Sequence, residues 1–281
     1  MTGDPFVATN TDAGERIEFA AVEDMWSAAP PRVVDQLGLA CMRAGDLTAV
    51  RCAALGGVAM FNAVLGAGLG PELDEEALAA SVAATHAAGC LCRVPLWGDG
   101  PSQRDAARWL GRHGFSPDYA WMKFRRPADL PDANPAATDP ALSVDAVATA
   151  EDRGTFGTIV TEGFGLPPVF AEWLQALPGR AGWHCLLARV DGAPAAAAAL
   201  YARGEVGWLG LGATLPALRG RGGQGALLRA RAEVARANGV VALVTETGER
   251  VTDRPSASYR NILRAGFTEE YLRPNHVSPA P

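Results

Sequence analysis

Lysine is almost missing from this chain: Lys123 is the only one among 25 basic residues, and 31 acidic residues bring the formal net charge to −6. Arginines scattered through an acidic chain lack the one-sided basic surplus that a phosphate backbone demands, which excludes broad nucleic-acid binding. Cysteine is scarce and odd in number. Cys41, Cys52, Cys90, Cys92 and Cys185 include no CxxC pair, so neither a disulfide framework nor a zinc site is expected. Cys90 and Cys92 fall on one face of the apolar run Cys90 to Leu96 and read as core. A long hydrophobic run is also absent. The longest apolar stretch, Ala193 to Ala202, is far short of the ~20 residues of a membrane helix, so no membrane partner is expected. Met1 to Glu15 carries acidic and polar residues where a secretory leader would put a basic patch and an apolar run. The expected compartment is the cytoplasm.

What is present suffices for two cores. The chain has 281 residues, 48% of them hydrophobic, and its 32 glycines and 20 prolines stay below the share that marks low-complexity chains. The length prior of roughly 100 to 200 residues per domain favours two domains. Pro127, Pro131, Pro135 and Pro140 alternate with Ala, Asp and Asn. Such a run holds neither a helix nor a central strand, so residues 127–142 read as a linker between domains at 1–126 and 143–281.

The second half opens with helical spacing over Asp145 to Phe164 and a second helix near Val169 to Leu177. His184 to Val190, a two-residue turn at Asp191-Gly192, and Pro194 to Tyr201 read as a hairpin, with Val206 to Thr214 as a third antiparallel strand. A glycine-rich segment then leads into a helix from Gln224 to Ala237 that ends at Gly239. Val240 to Thr245 is a strand, a polar loop runs through Pro255, Ala257 to Ala265 is a helix, and Phe267 to Leu272 is the last strand. The first half repeats that ending more faintly. Ala77 to Ala87, Cys90 to Leu96, Gln103 to Arg112 and Tyr119 to Phe124 read as helix, strand, helix and strand. Both last helices end in Gly-Phe, at Gly114-Phe115 and Gly266-Phe267, which suggests a duplicated fold.

Chemistry concentrates in Arg219-Gly220-Arg221-Gly222-Gly223-Gln224-Gly225. A glycine-rich turn at a helix N-terminus directs unpaired backbone N–H groups and the helix dipole at one anion. A nucleotide-triphosphatase loop is excluded, because no Gly-Lys-Ser/Thr occurs. Gly220, Gly222 and Gly225 satisfy the dinucleotide GxGxxG pattern with Glu246 about 20 residues on. Their context is wrong for it: the preceding strand belongs to a meander of hairpins, and Pro216 lies between strand and glycines.

The run Leu211 to Gly239, with Thr214-x-Pro216-x-x-Arg219-Gly220-Arg221-Gly222, resembles the acetyl-CoA-binding motif of the GNAT N-acetyltransferase superfamily. Ser258-Tyr259-Arg260-Asn261 and Ala265-Gly266-Phe267 resemble its second cofactor motif. The match covers roughly residues 145 to 275, and the first half resembles a degenerate GNAT domain. The resemblance implies an α+β fold of two tandem GNAT-like domains, each a mixed central sheet flanked by helices. It implies acetyl-CoA as co-substrate, no metal, and transfer of an acetyl group to a primary amine of a small-molecule or peptide acceptor by direct attack. The motif Gln/Arg-x-x-Gly-x-Gly/Ala falls on Arg219, Gly222 and Gln224, with Gln224 in place of a small residue, so that its side chain must turn away from the pyrophosphate. Gly220, Arg221, Gly222, Gly223, Gln224 and Gly225 would cradle the pyrophosphate, with Ser258 nearby. Gly212, Ala213 and Thr214 would pair with the pantetheine arm and polarise the thioester carbonyl.

An amine nucleophile needs a proton acceptor, and the leaving thiolate benefits from a donor. Glu246 and Glu205 are the candidate bases; each also reads as a surface carboxylate. The family's usual acid, a Tyr four residues before the Gly of Gly-Phe, is Ile262 here. Tyr259, one turn earlier on the same face, is the candidate substitute, or a packing residue. His184 and His276 are weaker candidates, and Trp173, Trp183 and Trp208 read as core or as acceptor pocket. A non-catalytic acyl-CoA-binding module and an acyltransferase similar to mycothiol synthase are the alternatives. The sequence leaves a homodimer open.

Overall fold

The computed structural model describes residues 12–131, 141–250 and 256–281. The first half runs α1 (Ala13–Ser27), α2 (Pro31–Leu37), β1 (Leu39–Ala44), β2 (Leu47–Cys52), β3 (Ala63–Leu65), α3 (Glu75–Ala87), β4 (Arg93–Pro95), α4 (Pro101–Arg112) and β5 (Ser116–Pro127). The second begins with an extra strand, β6 (Leu142–Ala146), and then repeats that order. It runs α5 (Ala150–Phe164), α6 (Val169–Leu174), β7 (Trp183–Val190), β8 (Ala193–Arg203), β9 (Val206–Thr214), α7 (Gly223–Ala237), β10 (Ala242–Gly248), α8 (Ala257–Arg264) and β11 (Thr268–Val277). Residues 132–140, the middle of the expected linker, and 251–255, in the expected polar loop, lie outside the described residues.

Local chemistry explains most boundaries. Asp191 and Gly192 adopt φ of +51° and +79°, the left-handed pair that a two-residue hairpin turn requires. The helix expected from Asp145 starts later, at Ala150. Thr149 and Asp152 form a reciprocal capping box there, while Leu142 to Ala146 is a strand paired with Leu186 to Val190. The first-half strand expected over Cys90 to Leu96 shortens to Arg93–Pro95, with Cys90 and Cys92 buried just before it.

Among the described residues all eleven strands form one sheet, in the order β1-β2-β3-β4-β11-β5-β10-β9-β8-β7-β6. The two halves have exchanged their last strands. β5 lies antiparallel to β10, from Pro127 opposite Ala242 to Trp121 opposite Gly248, and β11 pairs with β4 of the first half as well as with β5. One face carries a core shared by α1, α2, α5 and α6 over β1 to β3 and β7 to β9. On the opposite face, α3 and α4 cover the first half and α7 and α8 the second.

Candidate active site

β9 and β10 are parallel neighbours only over Val206 to Trp208, opposite Ala242 to Val244. Beyond them β9 continues to Thr214 along β8 alone and β10 continues to Gly248 along β5 alone. A V-shaped opening results, with Gly210 to Thr214 as one edge. Thr245 bridges its vertex, its hydroxyl donating to the Leu209 carbonyl at 2.8 Å.

At the mouth stands the N-terminus of α7. Gly220 and Gly222 have φ of +82° and +84°, and no side chain caps the helix. Its first-turn N–H groups therefore have no partner within the helix. Gly223 lies against the sheet so closely that an added Cβ would come within 3.2 Å of the Ala196 Cβ. Arg219 and Arg221 are exposed beside this turn, Arg221 reaching Asp191 of the β7–β8 turn at 3.5 Å. Gln224 turns toward α8, donating to the Ser258 hydroxyl at 3.0 Å and accepting from Asn261 at 2.8 Å.

On the face covered by α1, Glu246 of β10 accepts from Trp208 Nε1 at 3.1 Å and from Lys123 Nζ of β5 at 2.9 Å. Lys123 also contacts Glu18 of α1, and Glu15 at 3.7 Å. Arg273 of β11 donates to Glu18 at 2.7 and 2.8 Å and also bonds Glu15, which accepts from the Tyr271 hydroxyl at 2.7 Å. Three carboxylates thus share two cations in the interior. Glu246 retains 14% of its side-chain exposure against 9% for Glu18, 1% for Lys123 and Arg273 and none for Glu15, so it is the most exposed member of the network. Burial raises the Glu246 carboxyl above the usual 4.5, and Glu18 adds to the rise while Lys123 and Arg273 restrain it. Burial opposes ionisation of Glu18 as well, but Arg273 and Lys123 outweigh it and hold that carboxyl well below the usual range.

The expected residues divide accordingly. Gly212, Ala213, Thr214, the Arg219 to Gly225 loop, Ser258 and Glu246 gather around the opening. Glu205 sits at the opposite end of β9, an exposed turn residue whose carbonyl accepts from Val241 and Ala242; a strand rise of ~3.3 Å per residue puts it about 20 Å from Leu211. Tyr259 is buried with its hydroxyl on Glu269 at 2.6 Å and its ring edge-on to Phe124, and burial, then Glu269, raises the phenol. Ile262 is buried in the same core. His184 and His276 are half-buried strand residues whose imidazoles burial lowers. Trp173 and Trp183 donate to Met25 and Asp24 of α1; only Trp208 of the three tryptophans touches a candidate site residue. Sequence reasoning passed over Glu15, Glu18, Lys123, Tyr271 and Arg273. The one available signal was the solitary lysine. Among the described residues no cluster of three or more His, Cys, Asp or Glu could hold a metal ion, and no helix is long and apolar enough to cross a membrane.

This arrangement of sheet and helices, repeated in tandem, is the fold of the GCN5-related N-acetyltransferases. A GCN5-related N-acetyltransferase from Kribbella flavida superposes over 95% of this chain and 96% of its own, with a TM-score of 0.64 at 19% identity. A tandem GNAT protein from the clavulanic acid biosynthesis pathway matches over 98% and 97%, with a TM-score of 0.61 at 15% identity. The corresponding enzyme from Sphaerobacter thermophilus covers 84% and 82% with a TM-score of 0.59 at 17% identity. No family model and no curated protein matches the chain.

Proposed function

We propose that the chain is an N-acyltransferase that takes acetyl-CoA as co-substrate and passes the acetyl group to a primary amine by direct attack. The observation that carries this reading is the V-shaped opening between β9 and β10 with an uncapped, glycine-rich helix start at its mouth. The residues present fit the co-substrate. Gly220 to Gly225 offer backbone N–H groups to the pyrophosphate, Arg219 and Arg221 add charge, and the Gly212 to Thr214 edge offers a strand partner to the pantetheine arm. Acetyl-CoA supplies an activated thioester when bound. Glu246, oriented by Trp208 and Lys123, takes the proton of the attacking amine directly or through a water, and its raised carboxyl suits that task at neutral pH. Glu205 and Tyr259 receive no role. The five free cysteines, four of them buried, support a reducing compartment, the cytoplasm.

Ile262 in place of the family's tyrosine favours a second reading, an acyl-CoA-binding module without catalysis. Calorimetric titration with acetyl-CoA, with NADH as control, tests the first step. Micromolar binding at one site per chain is expected, and absence of binding overturns both readings. Turnover in a screen of polyamines, amino acids and amino sugars separates the enzyme from the binding module.

A further inference from the structure

Arg231, two turns into α7, is buried to 3% exposure and forms no ion pair among the described residues. Its Nε donates to the Leu227 carbonyl at 3.1 Å, and its Nη1 donates to the carbonyls of Ala199 at 3.0 Å and Gly210 at 3.2 Å. Those two carbonyls flank a break in the ladder. Ala199 stands opposite Gly210, but the next paired residues are Ala197 and Ala213, so Leu211 and Gly212 bulge opposite Ala198. Leu211 adopts φ of +53°, a left-handed conformation that a branched side chain rarely takes.

Peptide geometry fixes what this bulge presents. A trans peptide points its C=O and N–H in opposite directions. Arg231 holds the Gly210 carbonyl on the β8 side, so the Leu211 N–H faces the other edge, where β10 has already diverged. The Leu209 carbonyl lies on that same edge and is taken by Thr245, leaving the Leu211 N–H as the next group along the opening.

We propose that Arg231 is a positioning residue that clamps and polarises the Gly210–Leu211 peptide, making the Leu211 N–H the donor to the thioester carbonyl. The proposal rests on the acetyl-CoA reading above. A cation on the carbonyl oxygen draws electron density through the peptide and strengthens the donor at its other end. A buried guanidinium without a counter-ion is expensive to retain where an apolar side chain would fill the space. That expense is intelligible if the charge is used on the far side of the peptide. Burial pulls the group down to about 9, which still leaves it cationic at neutral pH.

Acetyl-CoA labelled with 13C at its carbonyl tests this in binding alone. Bound to the wild-type protein, the resonance should lie downfield of the free thioester. In R231M and R231Q at least half of that displacement should be lost, while desacetyl CoA binds R231Q within about twofold of wild type. Acetyl transfer should fall about tenfold or more, below the loss typical of deleting an oxyanion donor outright. R231Q keeps a neutral amide donor in the buried site but not the charge, so it keeps the comparison open if R231M fails to fold. An unchanged resonance in R231Q overturns the role of Arg231 and leaves the acetyl-CoA reading standing. A wild-type protein that does not bind acetyl-CoA overturns both.

Discussion

The same succession of strand, glycine loop and helix occurs in both halves, with opposite chemistry. In the first half Asp74 caps α3, accepting from Ala77 N–H at 2.9 Å, and Glu75 and Glu76 occupy the first turn. That helix end is satisfied and negative, so a pyrophosphate finds neither donors nor favourable charge. In the second half α7 starts at Gly222 and Gly223 with no cap and two arginines alongside. The openings differ in the same sense. Between β3 and β4, Gln103 fills the space, donating to the Ala67 carbonyl at 3.1 Å and accepting from Trp97 N–H at 3.2 Å. A Cβ on Gly68 would meet its Nε2 at 2.4 Å. Between β9 and β10 the Thr245 hydroxyl spans only the vertex, and Trp208 donates to Glu246 on the face covered by α1. The same strands thus frame an open, uncapped helix start in one half and, through a cap, two carboxylates and one amide, a filled and negative one in the other.

Three experiments act on that comparison. The largest effect belongs to Glu246, for which the first half presents no counterpart. E246Q should lower turnover by about 100-fold or more with acetyl-CoA affinity unchanged, the range of a lost general base. Wild-type turnover should fall as pH drops through a value above the ordinary 4.5, because burial raises this carboxyl and only its ionised form accepts a proton. A mutant of normal rate removes Glu246 as the base. Next, Q224E moves the start of α7 toward that of α3 without changing its shape. One negative charge in the first turn should weaken acetyl-CoA by about tenfold, the scale of a charge-assisted bond, and calorimetry reads it directly. The smallest change is expected from Q103A. Emptying the first opening leaves the acidic start of α3 in place, so stoichiometry should stay at one acetyl-CoA per chain. A second site would show that the plug alone separates the halves.

Much of the second half was legible in the sequence because its punctuation is local. The Asp191-Gly192 turn, Gly239 and Gly266 after their helices, and the Arg219 to Gly225 segment each act within a few residues. The strand exchange was not legible. β5 and β11 both follow a helix ending in Gly-Phe, so nothing local chooses between β4 and β10 as neighbour. The ion network was hidden for a related reason. Glu15 and Glu18 at i, i+3 on α1 look like a solvated helix face, and only the fold brings Lys123 and Arg273 beneath them. Tyr259 misled because helical spacing gives the face but not the partner, which is Glu269.

The exchange of β5 and β11 also bears on the order in which the protein can be completed during synthesis. The first half emerges with β4 lacking a neighbour that is encoded at the far end of the chain: Arg93 waits for Asn275, 182 residues later, to which it donates at 2.9 Å. β5, with Lys123, must meanwhile stand unpaired until β10 arrives. Neither half can close its sheet before β11 has been made, and loss of either half would strip the other of a central strand. The first half, whose glycine loop leads into a capped and acidic helix start, thus supplies the strand on which the second half is finished.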